Sequence, residues 1–188
     1  LERYATNQSR IRENNYVVNA LFKKEAGEFS FNAGAYGELR IDYSDNINAN
    51  TVGGFTVPNY YSLAASKDRP ALASAIFNKK VRSVYGFGSI GFKNFLFLDL
   101  NIRNDWSSSL PNSNNSYLYG GGSLSFVFTD LFAKNDILSF GKASFAFGRT
   151  GSDIGPYNIY QVYNSAGFYG TLPSLTIPNQ IPNENLKP

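Results

Sequence analysis

The sequence predicts an all-β fold, an antiparallel transmembrane β-barrel segment of about six strands. Three observations carry that expectation. Aromatic residues make up 16% of the 188 residues, with 13 Tyr and 16 Phe, and Gly reaches 17. The hydrophobic fraction is nevertheless 43% and the mean hydropathy −0.27, which fits strands that are apolar on one face only. The segments with period-two alternation are joined by connections that are short and long by turns.

The clearest strand runs from Phe95 to Asp105. Leu96, Leu98, Leu100 and Ile102 fall on one face, and Asp99, Asn101, Arg103 and Asp105 on the other. Its length matches the ~9–11 tilted residues that cross a bilayer, with lipid on the aliphatic side and water on the charged side. The segment from Arg82 to Phe92 precedes it across the two-residue turn Lys93-Asn94, a hairpin signal. Its Val84, Ile90 and Phe92 share a face with Gly86 and Gly88, opposite Ser83, Tyr85, Phe87 and Ser89.

Residues Glu28 to Glu38 alternate likewise and pair with Asn14 to Lys24 through a turn at Gly27. Phe29, Phe31, Ala33 and Ala35 face one way, and Glu28, Ser30, Asn32, Tyr36 and Glu38 the other. A third hairpin joins Tyr117 to Phe128 with Leu138 to Gly148 through residues 129–137. Leu118, Leu124, Phe126, Phe128, Ala143, Phe145 and Phe147 point to its apolar side.

The remaining stretches, 39–80, 106–116 and 149–188, are rich in Asn, Ser, Tyr and Pro and read as long loops. Outer-membrane barrels have short periplasmic turns and long extracellular loops, so Gly27, Lys93-Asn94 and 130–136 are expected on the periplasmic side. Natural barrels start near ~8 strands, so six imply a fragment. Both ends of the chain read as cuts, with no signal peptide at the start.

Composition also narrows the chemistry. The chain has no Cys, hence no disulfides and no thiolate-bound metal. It has no His, which removes Ser-His-Asp and Cys-His catalysis and His-ligated zinc or iron. No catalytic residue, cofactor or metal is expected. The net charge of +3 is scattered, and neither Lys23-Lys24 nor Lys79-Lys80-Arg82 lies on a helix that would enter a DNA groove, so nucleic acid is not an expected partner.

Four motifs each have a bland reading. Gly86-Phe-Gly-Ser-Ile-Gly91 spells a dinucleotide fingerprint, but a turn and a strand follow where the phosphate-holding helix should be. It reads as a Gly-rich barrel strand, as does Gly120-Gly-Gly122. The oxygen-rich run Asp42 to Asn50 lacks the spacing of a calcium loop and reads as polar surface loop. Asp99, Arg103 and Asp105 resemble paired carboxylates around a cation. With alternate residues ~7 Å apart, Arg103 is placed to bridge both acids in a lumen-facing ladder. Asp99, Asn101, Arg103 and Asp105 are the lumen-facing candidates. Tyr60, Tyr61, Trp106, Tyr157 and Tyr160 are the candidates for touching a ligand or partner from loops, while tyrosines serve equally as interface anchors.

Several stretches resemble the SusC/RagA family of TonB-linked outer-membrane transporters of Bacteroidetes. Ser83-Val-Tyr-Gly, through Lys93-Asn94 to Asn101-Ile-Arg-Asn-Asp-Trp-Ser-Ser108, is similar to that family's SYFGR…Y…RxDxSS hairpin, with Phe87 in place of Arg and Trp106 in place of Gly. Ser123 to Asp130 with Asn135 to Lys142 resembles the next hairpin. Gly148-Arg-Thr-Gly-Ser-Asp153 with Pro156-Tyr157 resembles GxTGNxxxxPY, and Asn183-Glu-Asn-Leu-Lys-Pro188 resembles NPNLKPE. Residues 1–81 match only in pattern.

The resemblance implies that 1–188 is part of a single barrel domain of about 22 strands, with the plug domain and the other strands outside this chain. It implies TonB-dependent import of a glycan or peptide across the bacterial outer membrane. The partners it implies are a SusD-like surface lipoprotein, the TonB complex, outer-membrane lipid and an oligosaccharide or peptide substrate. A passive porin, an adhesin, a barrel enzyme with its catalytic groups elsewhere, and a soluble carbohydrate-binding β-sandwich are the rival readings.

Overall fold

The structure is a computed structural model that describes residues 2–131, 138–179, 181–183 and 186. Eight strands form in chain order among them: β1 (Ala5–Ala26), β2 (Phe29–Phe55), β3 (Ser66–Phe92), β4 (Leu96–Ser107), β5 (Ser116–Phe126), β6 (Ala143–Arg149), β7 (Asn164–Tyr169) and β8 (Leu172–Thr176). The first six follow one another in a single sheet, and the last two pair as a separate hairpin. The described residues contain no helix long and apolar enough to cross a membrane.

The chain divides into two compact units. One comprises Leu1–Asn14 and Ile41–Lys79, the other Asn15–Arg40 and Lys80–Pro188. β1, β2 and β3 each contribute residues to both.

In the second unit the antiparallel register places every alternating side chain. β3 and β4 pair Ser83 with Asp105, Tyr85 with Arg103, Phe87 with Asn101 and Ser89 with Asp99. β4 and β5 pair Asp99 with Ser123, Asn101 with Gly121 and Arg103 with Tyr119. Directly opposed residues share a face, so these polar side chains lie together. The other face carries Val84, Ile90, Leu98, Leu100, Ile102, Leu118, Leu124, Phe145 and Phe147, all exposed. Leu100 and Ile102 are 54% and 55% exposed and Phe147 70%. Among the described residues nothing covers this apolar face.

The short turns form as expected. Lys93 and Asn94 both take positive φ, 48° and 59°, the backbone of a two-residue type I′ hairpin turn, and the Phe95 N–H donates to the Phe92 carbonyl at 3.1 Å. Gly27 at φ 61° turns β1 into β2. The two turns are tied together. The Lys93 N–H donates to the Glu28 carbonyl at 2.9 Å, and its ammonium meets the Glu28 carboxylate, also at 2.9 Å. Beside them Phe29, Phe92, Phe95 and Phe126 make a chain of ring contacts with centroids 4.8, 5.5 and 6.1 Å apart.

Two expectations about loops are overturned. Residues 39–80 are not a long loop: β2 runs on to Phe55 and β3 begins at Ser66, leaving 56–65 as the connection. The run Asp42 to Asn50 is strand. Ile41, Tyr43, Ile47 and Ala49 alternate there with Asp42, Ser44, Asn46, Asn48 and Asn50, a period-two pattern obscured by the density of Asn and Asp, and Ala49 and Thr51 are buried. Ser66 holds the pair closed: its hydroxyl accepts from Val52 N–H at 2.9 Å and donates to the Val52 carbonyl at 3.2 Å. Gly53 is required there, since it takes φ 75° and a Cβ would strike the Asp68 carboxylate.

β6 likewise starts at Ala143, not Leu138, and Phe128 belongs to the 3-10 turn Phe128–Leu131, not to β5. Thr129 explains the late start. Its hydroxyl accepts from Gly141 N–H at 3.0 Å and donates to the Gly141 carbonyl at 3.3 Å, occupying groups that a ladder would use. Residues 132–137, part of the expected turn, and most of the Asn183 to Pro188 motif lie outside the described residues.

Candidate functional site

Two places in the second unit concentrate polar chemistry. The first is the polar face of β2–β5. Arg103, placed on the polar face by its position in β4, donates from Nε to Asp105 Oδ1 at 2.8 Å, and from Nη2 to Glu38 Oε2 at 3.1 Å and Ser83 Oγ at 2.9 Å. The Tyr119 hydroxyl donates to Asp105 Oδ2 at 2.6 Å. Four strands thus converge on one guanidinium and one buried carboxylate. A pocket of about 140 Å³ opens beside them, lined by Val17, Tyr36, Glu38, Ser83, Tyr85 and Arg103.

Asp99 does not join this network. It accepts from Ser89 at 2.6 Å and from Ser123 at 3.2 Å, so Arg103 does not bridge both acids. Strand pairing decides this: Asp99 sits opposite two serines, and Arg103 finds its second carboxylate on β2. Asn101 lies between, exposed, opposite Phe87 and Gly121. The wall there is a shallow hollow of about 530 Å³ over Asp99, Asn101, Tyr119, Gly121, Ser123 and Gly148. Gly121 keeps it open, because a Cβ would come within 2.5 Å of the Phe147 carbonyl oxygen across the β5–β6 pair.

The second place follows β6. Tyr157, at φ 66°, and Tyr160 line a cavity of about 570 Å³ together with Asn158, Gln161, Asn164 and Ile181. Both tyrosines are exposed, at 44% and 59%. Rings with amide groups between them suit an amphipathic ligand that offers flat apolar patches and hydrogen-bonding edges. Tyr60 and Tyr61 are exposed in the 56–65 connection of the other unit, where Tyr61 packs edge-on to Phe55. Trp106 is not in a loop: it is a β4 residue on the same face as Leu100 and Ile102.

Sequence reasoning missed Glu38, Ser83 and Tyr119 as partners of the Arg103–Asp105 pair. Glu38 was legible as polar-facing, but its meeting with Arg103 is set by the order and register of strands. No group of three acidic side chains among the described residues is placed to hold a metal ion.

No family model and no curated protein matches the sequence. Solved structures do match. The RagAB peptide importer in its 'closed-closed' state superposes with a TM-score of 0.81 at 22% identity, over 97% of this chain and 21% of that one. The 'open-open' state gives 0.78 at 20% identity over 98% and 21%, and a further structure of the RagAB peptide transporter 0.77 at 18% over 97% and 21%. The six-stranded sheet has the fold of a β-barrel segment. The chain spans about a fifth of the length of the chains it matches.

Proposed function

We propose that this chain is barrel wall and extracellular loop from an outer-membrane active transporter that imports a peptide or glycan by a TonB-dependent route. The observation that carries the reading is the two-faced sheet of β3–β6, aliphatic and exposed on one side and hydrogen-bonded and ionic on the other. Such a sheet suits lipid outside and a polar lumen inside. In a closed barrel every backbone group would be paired, as the bilayer requires. The likeness to the RagAB peptide importer supports the same reading and favours a peptide over a glycan.

In this reading 1–188 belongs to one barrel domain, with plug and remaining strands elsewhere in the protein. The Gly27 and Lys93-Asn94 turns face the periplasm. The β2–β3 hairpin tip and the segment after β6 face outward, beneath a SusD-like surface lipoprotein. Tyr157 and Tyr160 contact the incoming ligand, with Tyr60 and Tyr61 near the lid. Asp99, Asn101, Arg103 and Asp105 face the lumen, where Arg103 and Asp105 brace the wall and Asn101 meets the plug or the passing substrate. TonB acts on parts outside this chain, and no reaction is catalysed.

Uptake of a labelled peptide mixture by cells producing the complete protein tests this. Uptake is expected to stop when the proton gradient is collapsed or TonB is removed. Uptake that follows the concentration gradient and ignores both would make the barrel a passive porin.

A further inference from the structure

At the end of β4 the apolar face does not stop at bare solvent. Lys80 and Arg82 on β3 and Trp106 on β4 point to it, Arg82 directly opposite Trp106 in the register, with Arg82 and Trp106 exposed. Together with Ser108, Asn112 and Asn115 they line a pocket of about 190 Å³. Its floor is held by backbone. Lys80 N–H donates to Ser108 Oγ and Ser108 N–H to the Lys80 carbonyl, both at 2.9 Å, while Ser107 N–H donates to the Asn115 carbonyl at 2.9 Å. Among the described residues neither Lys80 nor Arg82 has an acidic partner.

The height of this pocket is informative. Ten residue steps along β3 separate Arg82 from Phe92 in the aromatic cluster at the turn end. At ~3.3 Å per residue and the ~40° tilt of barrel strands, that is roughly 25 Å, the height of the apolar band of an outer-membrane barrel. The Phe cluster and Trp106 would then mark the two interfaces, and two cations without acidic partners would sit at the headgroups of the outer leaflet. Directly below the pocket, Ile102 and Leu100 stand as a ridge with Gly86 and Gly88 on one side and Gly120 and Gly122 on the other. On the β3 side Gly88 leaves open space beside the ridge, while on the β5 side Leu100 leans over Gly122.

We propose that this pocket binds the phosphorylated sugar headgroup of an acylated outer-leaflet glycolipid of the lipid A type. Lys80 and Arg82 take the phosphate, Asn112, Asn115 and Ser108 take sugar hydroxyls, Trp106 lies along the sugar–acyl boundary, and the acyl chains follow the Leu100–Ile102 ridge. Charge complementarity selects this occupant over a zwitterionic phospholipid, and the amide-rich rim selects a sugar over glycerol. The proposal rests on the membrane reading above.

The test uses the complete barrel purified from outer membranes in mild detergent, with native mass spectrometry to titrate bound lipid. The probes are bisphosphorylated lipid A, its dephosphorylated form and phosphatidylethanolamine. The bisphosphorylated form is expected to bind tightest, and K80Q with R82Q to weaken it by about tenfold or more, the scale of charge-assisted phosphate contacts. R82K should retain most of the binding. Lys93→Gln, at the opposite end of β3, should leave it unchanged. Inorganic phosphate at equal concentration should not displace the lipid; displacement would assign the pocket to free phosphate and overturn the proposal. Equal binding of all three lipids by the unaltered protein would also overturn it, whatever the variants do. If the barrel is recovered heat-modifiable from outer membranes and the double variant binds as well as the parent, this proposal alone falls. Recovery in the soluble fraction would overturn the membrane reading as well.

Discussion

Arg103 Nε lies 2.8 Å from Asp105 Oδ1, two residues along the same strand, and the carboxylate at that contact is almost fully buried. The same carboxylate accepts from Tyr119 on β5, and the same guanidinium reaches Glu38 on β2. One ion pair therefore couples neighbouring strands through side chains as well as through the backbone ladder.

Breaking that pair should be costly in a way that breaking the neighbouring one is not. Arg103→Met leaves Asp105 buried with its cation gone and should destabilise the folded barrel by about 1–3 kcal/mol. Asp99→Asn, on an exposed residue held only by serines, should cost less than ~1 kcal/mol. Urea unfolding of the two variants in detergent compares them directly. Equal losses would mean that Arg103 and Asp105 act no differently from surface polar groups.

The Lys93-Asn94 turn gives a second expectation. Asn94 sits at φ 59°, which Asn and Gly tolerate and β-branched residues do not. Asn94→Val should lower the stability of the β3–β4 hairpin by roughly 1–3 kcal/mol, and Asn94→Gly should be near neutral. Amounts of assembled barrel from the two variants, measured side by side, decide it.

Much of the second unit was legible in the sequence, and the reason is physical. The Leu96–Ile102 stripe and the charges opposite it differ so strongly that parity along β4 is unambiguous, and a two-residue turn then sets the parity of β3. The stretch 39–80 reads as loop because its abundance of Asn, Asp and Ser outweighs the alternation of Ile41, Tyr43, Ile47 and Ala49 with polar neighbours, which is the signature of the strand found there. The late start of β6 was hidden for a different reason: one hydroxyl, that of Thr129, diverts the Gly141 backbone. Glu38 shows the remaining limit. Its partner Arg103 is remote in sequence, and no local pattern names it.

The proposed orientation puts the 56–65 hairpin tip outside the cell. A protease added to intact cells should cut within 56–65 and in the segment after β6. It should spare Lys93-Asn94 and also the 42–50 stretch, whose backbone is paired. Cleavage at Lys93-Asn94 on intact cells would invert the orientation.

Ligand capture has its own variant. Replacing Tyr157 and Tyr160 together by Ala should raise the apparent Kd for the imported ligand by about tenfold, the effect of losing an aromatic anchor. The folded barrel should be recovered in unchanged amount. Equilibrium binding of the labelled ligand to purified protein reads this out, and unchanged affinity would move the capture site away from the 570 Å³ cavity.

The proposed barrel stands on which face of β4 meets lipid, and a pair of variants at neighbouring positions tests it. Leu100 is on the apolar face and Asn101, its neighbour, on the polar one. Leu100→Arg should cost about 2–4 kcal/mol near the bilayer midplane and reduce the heat-modifiable, folded barrel recovered from outer membranes. Asn101→Leu should leave that amount almost unchanged, since the lumen tolerates substitution. Normal assembly of Leu100→Arg together with failure of Asn101→Leu would place lipid on the other side of the sheet and contradict the account.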